Sequence, residues 1–321
     1  MGYEYAFAPM EGITTAPFRR LHQQYFPGID RYYTPFAVAN QTKSFQRREI
    51  RDILPSANEG IPVVPQILGN KADEVAWALE ELASYGYHEI NFNLGCSMPQ
   101  IAKRGKGAGF LYPPDRLDHF FHDLFETTIL QKGEILLTIK TRIGTEKREE
   151  HTQLLQIFNR YPFGKLIVHP RLGSDVYNNT PDMEVFAHWY AESTHPLWYN
   201  GDIATPEQVR RMENTYPRLG GIMIGRGLIR RPSLVREVKG EMAAEPTELC
   251  AYLEDLLDLY LDMFADPRQA VSKMKEIWWY LGSCYPDRGK ELKRLKKCQH
   301  AQELRALQRI ILQEGFQSGE I

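Results

Sequence analysis

The amino-acid sequence predicts an α/β protein: a (β/α)8 TIM barrel followed by a C-terminal all-helical domain. Three observations predict it. Eight short apolar runs alternate with longer amphipathic stretches over about the first 240 residues, a length that suits a barrel. Polar and glycine-rich segments fall at the C-terminal ends of those runs, where barrel active sites lie, and this favours the barrel over a doubly wound sheet. Beyond residue 240 the strand signals vanish and only helical periodicity remains.

Each element has its own local reason. Tyr5–Met10 reads as the first strand and runs into Pro9-Met10-Glu11-Gly12. Tyr32–Ala37 is the second strand and Val63–Leu68 the third, the latter closed by Gly69. Ala72–Tyr85 places Val75, Leu79 and Leu82 on one helical face and stops before Gly86. Glu89–Leu94 is the fourth strand, and a helix follows around Asp115–Thr128. Ile135–Thr141 and Lys165–His169 are the fifth and sixth strands, separated by a helix near Thr152–Asn159. Pro196–Tyr199 is the seventh; after it Thr205 serves as N-cap with Pro206 in the first helical turn. Gly221–Ile224 is the eighth strand. The division is residues 1–240 for the barrel and 241–321 for the helical domain, with the junction near Gly240–Pro246. In the second part Thr247–Phe264, Pro267–Leu281 and Arg288–Leu312 read as helices, with Thr247 and Asp266 as N-caps.

Composition narrows the function classes. The 321 residues are 43% hydrophobic and 25% charged, which suits a soluble chain with a real core. A net charge of −2 leaves no global basic field, so any contact with nucleic acid must be local. The cysteines Cys96, Cys250, Cys284 and Cys298 have no metal-ligand spacing, and no metal site is expected. No signal peptide is recognisable, so a cytoplasmic setting is expected. No apolar run reaches the roughly 20 residues that a membrane helix needs.

The strand ends carry the chemistry. Lys140 lies on an apolar strand, where an inward ammonium needs either a structural carboxylate or a ligand oxygen. His169 ends the next strand beside Arg171, as a packed core residue or a functional one. Asn200-Gly201-Asp202 and Gly225-Arg226-Gly227 follow strands seven and eight, where many barrels bind phosphate on glycine-rich backbone. Cys96 follows strand four next to Gly95 and ahead of Lys103, Arg104 and Lys106. A positive surround there is expected to ease loss of its proton, for work as a general acid or a nucleophile.

Taken together these segments resemble one family, the tRNA-dihydrouridine synthases, over nearly the whole chain. The resemblance rests on Ala8-Pro9-Met10-Glu11-Gly12-Ile13-Thr14, Gln66-Ile67-Leu68-Gly69, Asn93-Leu94-Gly95-Cys96 with Gly105-Lys106-Gly107-Ala108, Ile139-Lys140-Thr141-Arg142, Val168-His169-Pro170-Arg171, Asn200-Gly201-Asp202 and Ile224-Gly225-Arg226-Gly227. It implies an FMN-binding barrel, a helical tRNA-binding domain and NADPH as reductant. Pro9, Met10, Gln66, Lys140, His169, Asn200, Gly201, Asp202, Gly225 and Arg226 would then hold FMN. Cys96 would be the catalytic acid, and Asn93, Arg142 and Arg171 would meet the uracil-bearing substrate. Ser97 stands where the family commonly has proline, and Thr15 where aspartate is usual.

Contact with tRNA is expected from the tail, where Lys293, Arg294 and Lys297 share a helix face, and from Lys103 and Arg104 near the site. Trp278-Trp279-Tyr280 either stacks on bases or packs a helical core. No obligate protein partner is evident, and a monomer is expected. The competing readings are an FMN barrel oxidoreductase acting on a small pyrimidine, a non-catalytic RNA-binding scaffold, and the same chemistry on rRNA.

Overall fold

The computed structural model describes residues 3–176 and 178–313. Its ten strand segments are all parallel: β1 (Glu4–Phe7), β2 (Arg31–Tyr33), β3 (Ala37–Val38), β4 (Val63–Val64), β5 (Gln66–Leu68), β6 (Glu89–Leu94), β7 (Leu136–Gly144), β8 (Leu166–Leu172), β9 (Leu197–Asn200) and β10 (Gly221–Ile224). β2 pairs with β4 and β3 with β5. These four segments are therefore two physical strands, each interrupted once. β1 pairs with β10, which closes the eight-membered ring. Helices between successive strands cover the outside, as a (β/α)8 barrel requires.

Both interruptions correct the expectation of continuous second and third strands, and both contain proline. Pro65 lies between β4 and β5, and Pro35 lies between β2 and β3. Neither can donate to the ladder. Tyr33 pairs with Val64 but Ala37 pairs with Ile67, so the second strand carries one extra residue across the break. The first strand ends at Phe7, three residues before Met10, because Met10 instead starts a turn that takes the Ile13 and Thr14 amides. The expected helix over 288–312 is two helices, Gly289–Lys297 and Ala301–Leu312. The break falls where Cys298 is extended and buried. Thr247 is not the N-cap of its helix. Glu245 is, and Pro246 opens the helix in its first turn. Asp266 and Thr205 cap as expected, with Asp266 accepting from the Arg268 amide and Thr205 from Gln208.

Strand parity fills the barrel in layers. At the base, Lys165 pairs with Glu89 at 3.0 Å and lies 4.6 Å above the Trp198 ring. Ala6, Tyr33, Val64, Ile167 and Met223 pack around them. Above this sits a buried amide chain. Asn91 donates to Thr138 (3.0 Å), Gln66 donates to Asn91 (2.7 Å), and Asn93 donates to Gln66 (2.7 Å). One more step of two along β6, β7 and β8 brings Asn93, Lys140, Arg142, His169 and Arg171 to the C-terminal mouth.

From Pro246 onward the described chain is helical. Helix Pro246–Met263 packs on helix Ala16–Tyr25 through an aromatic cluster in which Tyr252 meets Phe18, His22, Tyr25 and Phe26 edge-on. Burial holds His22 neutral, with its ring down at about 3, and its Nδ1 lies 2.7 Å from the Tyr32 hydroxyl. Among the described residues no helix is long and apolar enough to cross a membrane.

The Tyr252 ring is buried, and its hydroxyl has no hydrogen-bond partner among the described residues. Tyr252→Ala is expected to cost about 3 kcal/mol or more through the cavity it leaves. Tyr252→Phe is expected to be neutral or stabilising, because it removes an unpaired buried polar group. Urea midpoints of the two variants check this, and a large loss in Tyr252→Phe would contradict it.

Candidate active site

The barrel mouth opens into a cavity of about 370 Å³, within the range of small-molecule sites. It is lined by Pro9, Met10, Gln66, Asn93, Cys96, Lys140, Arg142, His169, Asn200, Gly201, Asp202, Gly225 and Arg226. Thirteen of the sequence-derived residues thus converge from seven barrel strands. Arg171 lies just behind the wall. Lys103, Arg104, Lys293, Arg294 and Lys297 lie outside it, exposed.

The wall after β9 and β10 is an ion cluster. Asp202 receives both guanidinium arms of Arg171 and one of Arg226, on opposite oxygens for the Arg171 fork. Burial pushes the Asp202 carboxyl up, but the two arginines outweigh it and hold it below the usual carboxylate range. A carboxylate so engaged orients Arg226 and is a poor direct ligand for another anion. Arg171 also donates to the Asn179 carbonyl, and its Nη1 lies 2.9 Å from His169 Nε2. His169 is therefore a neutral acceptor at Nε2. Burial, then Lys140, Arg142, Arg171 and Arg226, push its ring well below the ordinary imidazole range. Glycine is required where this wall turns: a Cβ on Gly201 would meet the Tyr199 hydroxyl at 2.0 Å, and one on Gly227 the Ile203 carbonyl at 1.9 Å.

Arg142 is also buried, and its guanidinium reaches backbone carbonyls: Gly95 (3.1 Å), Leu172 (2.5 Å) and Val176 (2.6 Å). It ties the loop bearing Cys96 to the loop after β8. Asn93 fixes the same loop from the other side, since its Oδ1 accepts from the Gly95 (3.0 Å) and Cys96 (2.9 Å) amides. Behind Cys96 the loop 105–110 packs so closely that a Cβ on Gly107 (φ +57°) would lie 2.6 Å from the Cys96 carbonyl. The Ala108 amide donates to that carbonyl at 2.9 Å.

The expectation of an easily deprotonated Cys96 is corrected here. Burial pushes the thiol up and outweighs the lowering by the Met98 backbone hydrogen bond, Lys140 and Arg142. Lys103 and Arg104 point to solvent. Lys106 instead donates to the Ala39 carbonyl at 3.2 Å. A thiol that keeps its proton at neutral pH suits a general acid better than a nucleophile.

Lys140 is the remaining cation. Burial first, then Arg142, lowers its ammonium to about 8; Cys96 acts in the opposite sense, and no carboxylate contributes. The structural ion pair considered for it is absent among the described residues. The helical part reaches the mouth as well. Tyr280 lines the cavity, and Lys273 donates to the Gly12 carbonyl (3.1 Å) in the turn after β1. Periodicity gave no sign of either contact, which spans some 260 positions. A second, more apolar cavity of about 690 Å³ adjoins the first and shares Glu11, Pro35 and Phe36 with it.

Fold and site together define a barrel enzyme with a cation-lined cavity at its strand ends. The chain is 28% identical over 276 residues to a probable tRNA-dihydrouridine synthase of Staphylococcus aureus (strain MRSA252), covering 81% of this chain and 77% of that one. It is 27% identical over 286 residues to tRNA-dihydrouridine synthase B of Shewanella oneidensis, covering 85% of each. In fold it is similar to morphinone reductase (TM-score 0.51, 10% identity, 76% of this chain and 87% of that one) and to the old yellow enzyme of Trypanosoma cruzi (TM-score 0.53, 10% identity, 76% and 90%). Residues 6–315 match the dihydrouridine synthase (Dus) family, and the chain belongs to that family.

Two outcomes follow from the electrostatics. Alkylation of Cys96, followed by mass spectrometry, is expected to reach half its maximal rate only above pH 9; a midpoint near 7 would refute the buried-thiol account. An ammonium lowered to about 8 in the fold, against 10.5 for the free group, makes the ligand-free chain less stable, fully so below pH 8. The penalty fades as pH rises from 8 to 10.5. Lys140→Met is therefore expected to stabilise the ligand-free chain by up to about 3 kcal/mol below pH 8, with the gain shrinking above it. A gain independent of pH would contradict the assignment.

Proposed function

We propose that this chain reduces uridines in tRNA to 5,6-dihydrouridine with FMN as cofactor and NADPH as reductant. The observation that carries the reading is the pairing of a proton-retaining thiol with a cavity that holds a cation lacking any carboxylate partner. The residues fit the cofactor. Lys140 and Gln66 offer donors at the cavity floor for a ring edge, and Arg226, Asn200, Gly201 and Gly225 line the wall suited to a phosphate. Pro9 and Met10 border that space; both backbone polar groups of Met10 are already used in its turn with Thr14. FMN held there by Lys140, Gln66 and Arg226 would supply, once reduced, the hydride for uracil C6.

The chain's own groups supply the rest. Hydride at C6 places negative charge on C5 and O4, because the 5,6 double bond is conjugated to the C4 carbonyl. Cys96 donates its proton to C5, which completes the saturation. The Met98 backbone hydrogen bond, Lys140 and Arg142 all favour the thiolate left behind. Asn93, Arg142 and Arg171 are positioning residues in this reading: Asn93 and Arg142 fix the Cys96 loop, and Arg171 aims Asp202 and His169. A uridine in a folded RNA must leave its stack to enter the cavity.

Residues 1–240 are assigned to catalysis and 241–321 to RNA contact; residues 314–321 lie outside the described part. Lys293, Arg294 and Lys297 are exposed on helix Gly289–Lys297, as phosphate contacts require. Lys103 and Arg104, exposed near the mouth, are assigned to guiding the RNA. One chain supplies every group named, which supports action as a monomer. All four cysteines are free thiols, which supports a reducing cytoplasm.

Anaerobic absorbance of the purified chain tests this. Flavin colour that bleaches with NADPH and returns on addition of unmodified tRNA is the expected result. Return of colour with free uridine alone, or with rRNA fragments but not tRNA, would replace the substrate. Cys96→Ala is expected to keep flavin and its bleaching but to form dihydrouridine at least about 100-fold more slowly. Full product yield from that variant would remove the acid role.

A further inference from the structure

The segment Trp278-Trp279-Tyr280 is divided three ways by the fold. Trp278 is buried and donates its indole N–H to Gln308 at 2.9 Å. Tyr280 borders the active-site cavity. Trp279 turns outward and is 70% exposed, the most exposed aromatic among the described residues. Glu276 and Ser272, one and two turns earlier, continue the same outward stripe. A ring this exposed contributes little to the fold, because most of its apolar surface stays in water.

Its surroundings are cationic. Lys296, on the neighbouring helix Gly289–Lys297, holds its ammonium 5.1 Å from the Trp279 ring centroid. That helix also exposes Lys290, Lys293, Arg294 and Lys297, against a single acid, Glu291. Arg294 makes one long contact, 3.8 Å, with Glu303. From the cavity outward the surface therefore runs through Tyr280, then Trp279, then Lys296 and the basic helix face. A flat π surface flanked by ammonium groups matches a nucleobase with its phosphate. A protein partner would ask instead for a broader apolar patch, and Trp279 is the lone aromatic of its stripe.

We propose that Trp279, with Lys296 beside it, is a stacking platform for an unpaired base of the RNA substrate, close to the uridine that enters the cavity. The proposal rests on the RNA reading above and narrows it. The substrate class is a uridine in a loop or otherwise unpaired segment, whose neighbouring base is free to leave its own stack. Stacking is sequence-tolerant, because every base has a π face. Trp279 therefore selects for single-strandedness and leaves base identity to other contacts.

The test uses the flavin-loaded full chain and an unmodified tRNA transcript, with the dissociation constant measured across a salt series. Trp279→Ala and Trp279→Leu are expected to weaken binding by roughly tenfold, while Trp279→Phe keeps most of it. The slope of affinity against salt is expected to stay at the wild-type value in all three, because no phosphate contact is lost. The triple variant Lys293→Ala, Arg294→Ala, Lys297→Ala is expected to lower that slope instead. Flavin content and bleaching by NADPH should be unchanged throughout. Wild-type affinity in Trp279→Ala would overturn the platform, and so would equal rescue by Leu and Phe, which would indicate generic apolar contact. If the wild-type chain itself binds no RNA, the RNA reading falls. If it binds and only the Trp279 variants are silent, the platform alone falls.

Discussion

Everything at the barrel mouth is arranged around one carboxylate. Asp202 receives the fork of Arg171 and one arm of Arg226, while Lys140 stands nearby with no carboxylate partner among the described residues. A buried ion cluster of this kind is weak evidence for stability, since desolvation offsets much of its attraction. Its effect is geometric. The Arg171 guanidinium held on both oxygens fixes the Asp202 carboxylate, and that carboxylate takes one arm of Arg226. The charge balance is also left incomplete on purpose-built terms: with Asp202 occupied, the ammonium of Lys140 still lacks a counterpart. On the proposed reading, the ligand would bring acceptor oxygens to two places, the wall at Arg226 and the floor at Lys140.

The same arrangement follows from strand parity. On β6 the inward residues are Glu89, Asn91 and Asn93, and on β7 they are Thr138, Lys140 and Arg142. Each strand thus passes from structural to chemical work over three inward positions. The base is closed by the Lys165–Glu89 pair and Trp198. The middle is a chain of amides in which each partner fixes the next. The last amide in that chain, Asn93, caps the turn that carries Cys96. The thiol's position is therefore set from the barrel interior, well below the loop on which it sits.

Much of this was legible from residue types and spacing. Eight apolar runs with polar ends specify the barrel, and period-two alternation carries the site residues to one mouth. The interruptions at Pro35 and Pro65 were legible too, through proline's missing N–H, but the apolar run on either side hid them. Other features depend on distances that no local pattern encodes. The direction of the Cys96 shift is decided by how deeply the thiol is buried, and cations close by in the sequence, such as Lys103 and Arg104, turn out to face water. The family resemblance makes Arg142 a substrate contact, and in the fold its guanidinium ties three carbonyls of two loops. The contacts of Lys273 and Tyr280 at the mouth link positions that only the packed fold brings together.

Those last two contacts give helix Pro267–Leu281 a double role. On its inner face Lys273 holds the Gly12 carbonyl, in the turn just past Pro9 and Met10, and Tyr280 borders the cavity. On its outer face it presents Trp279 to solvent. Trp278, between the two, anchors the helix by its indole bond to Gln308. A rigid helix with both faces engaged makes the cavity rim and the outer surface parts of one body. On the proposed RNA contact, an RNA held on the outer face would meet a cavity whose rim is already formed. What must change shape is the RNA, whose target base has to leave its stack, and this places the cost of recognition on the substrate's flexibility. Selection then favours uridines whose surroundings are already loosely stacked. Such selectivity would arise from the energy needed to expose the base.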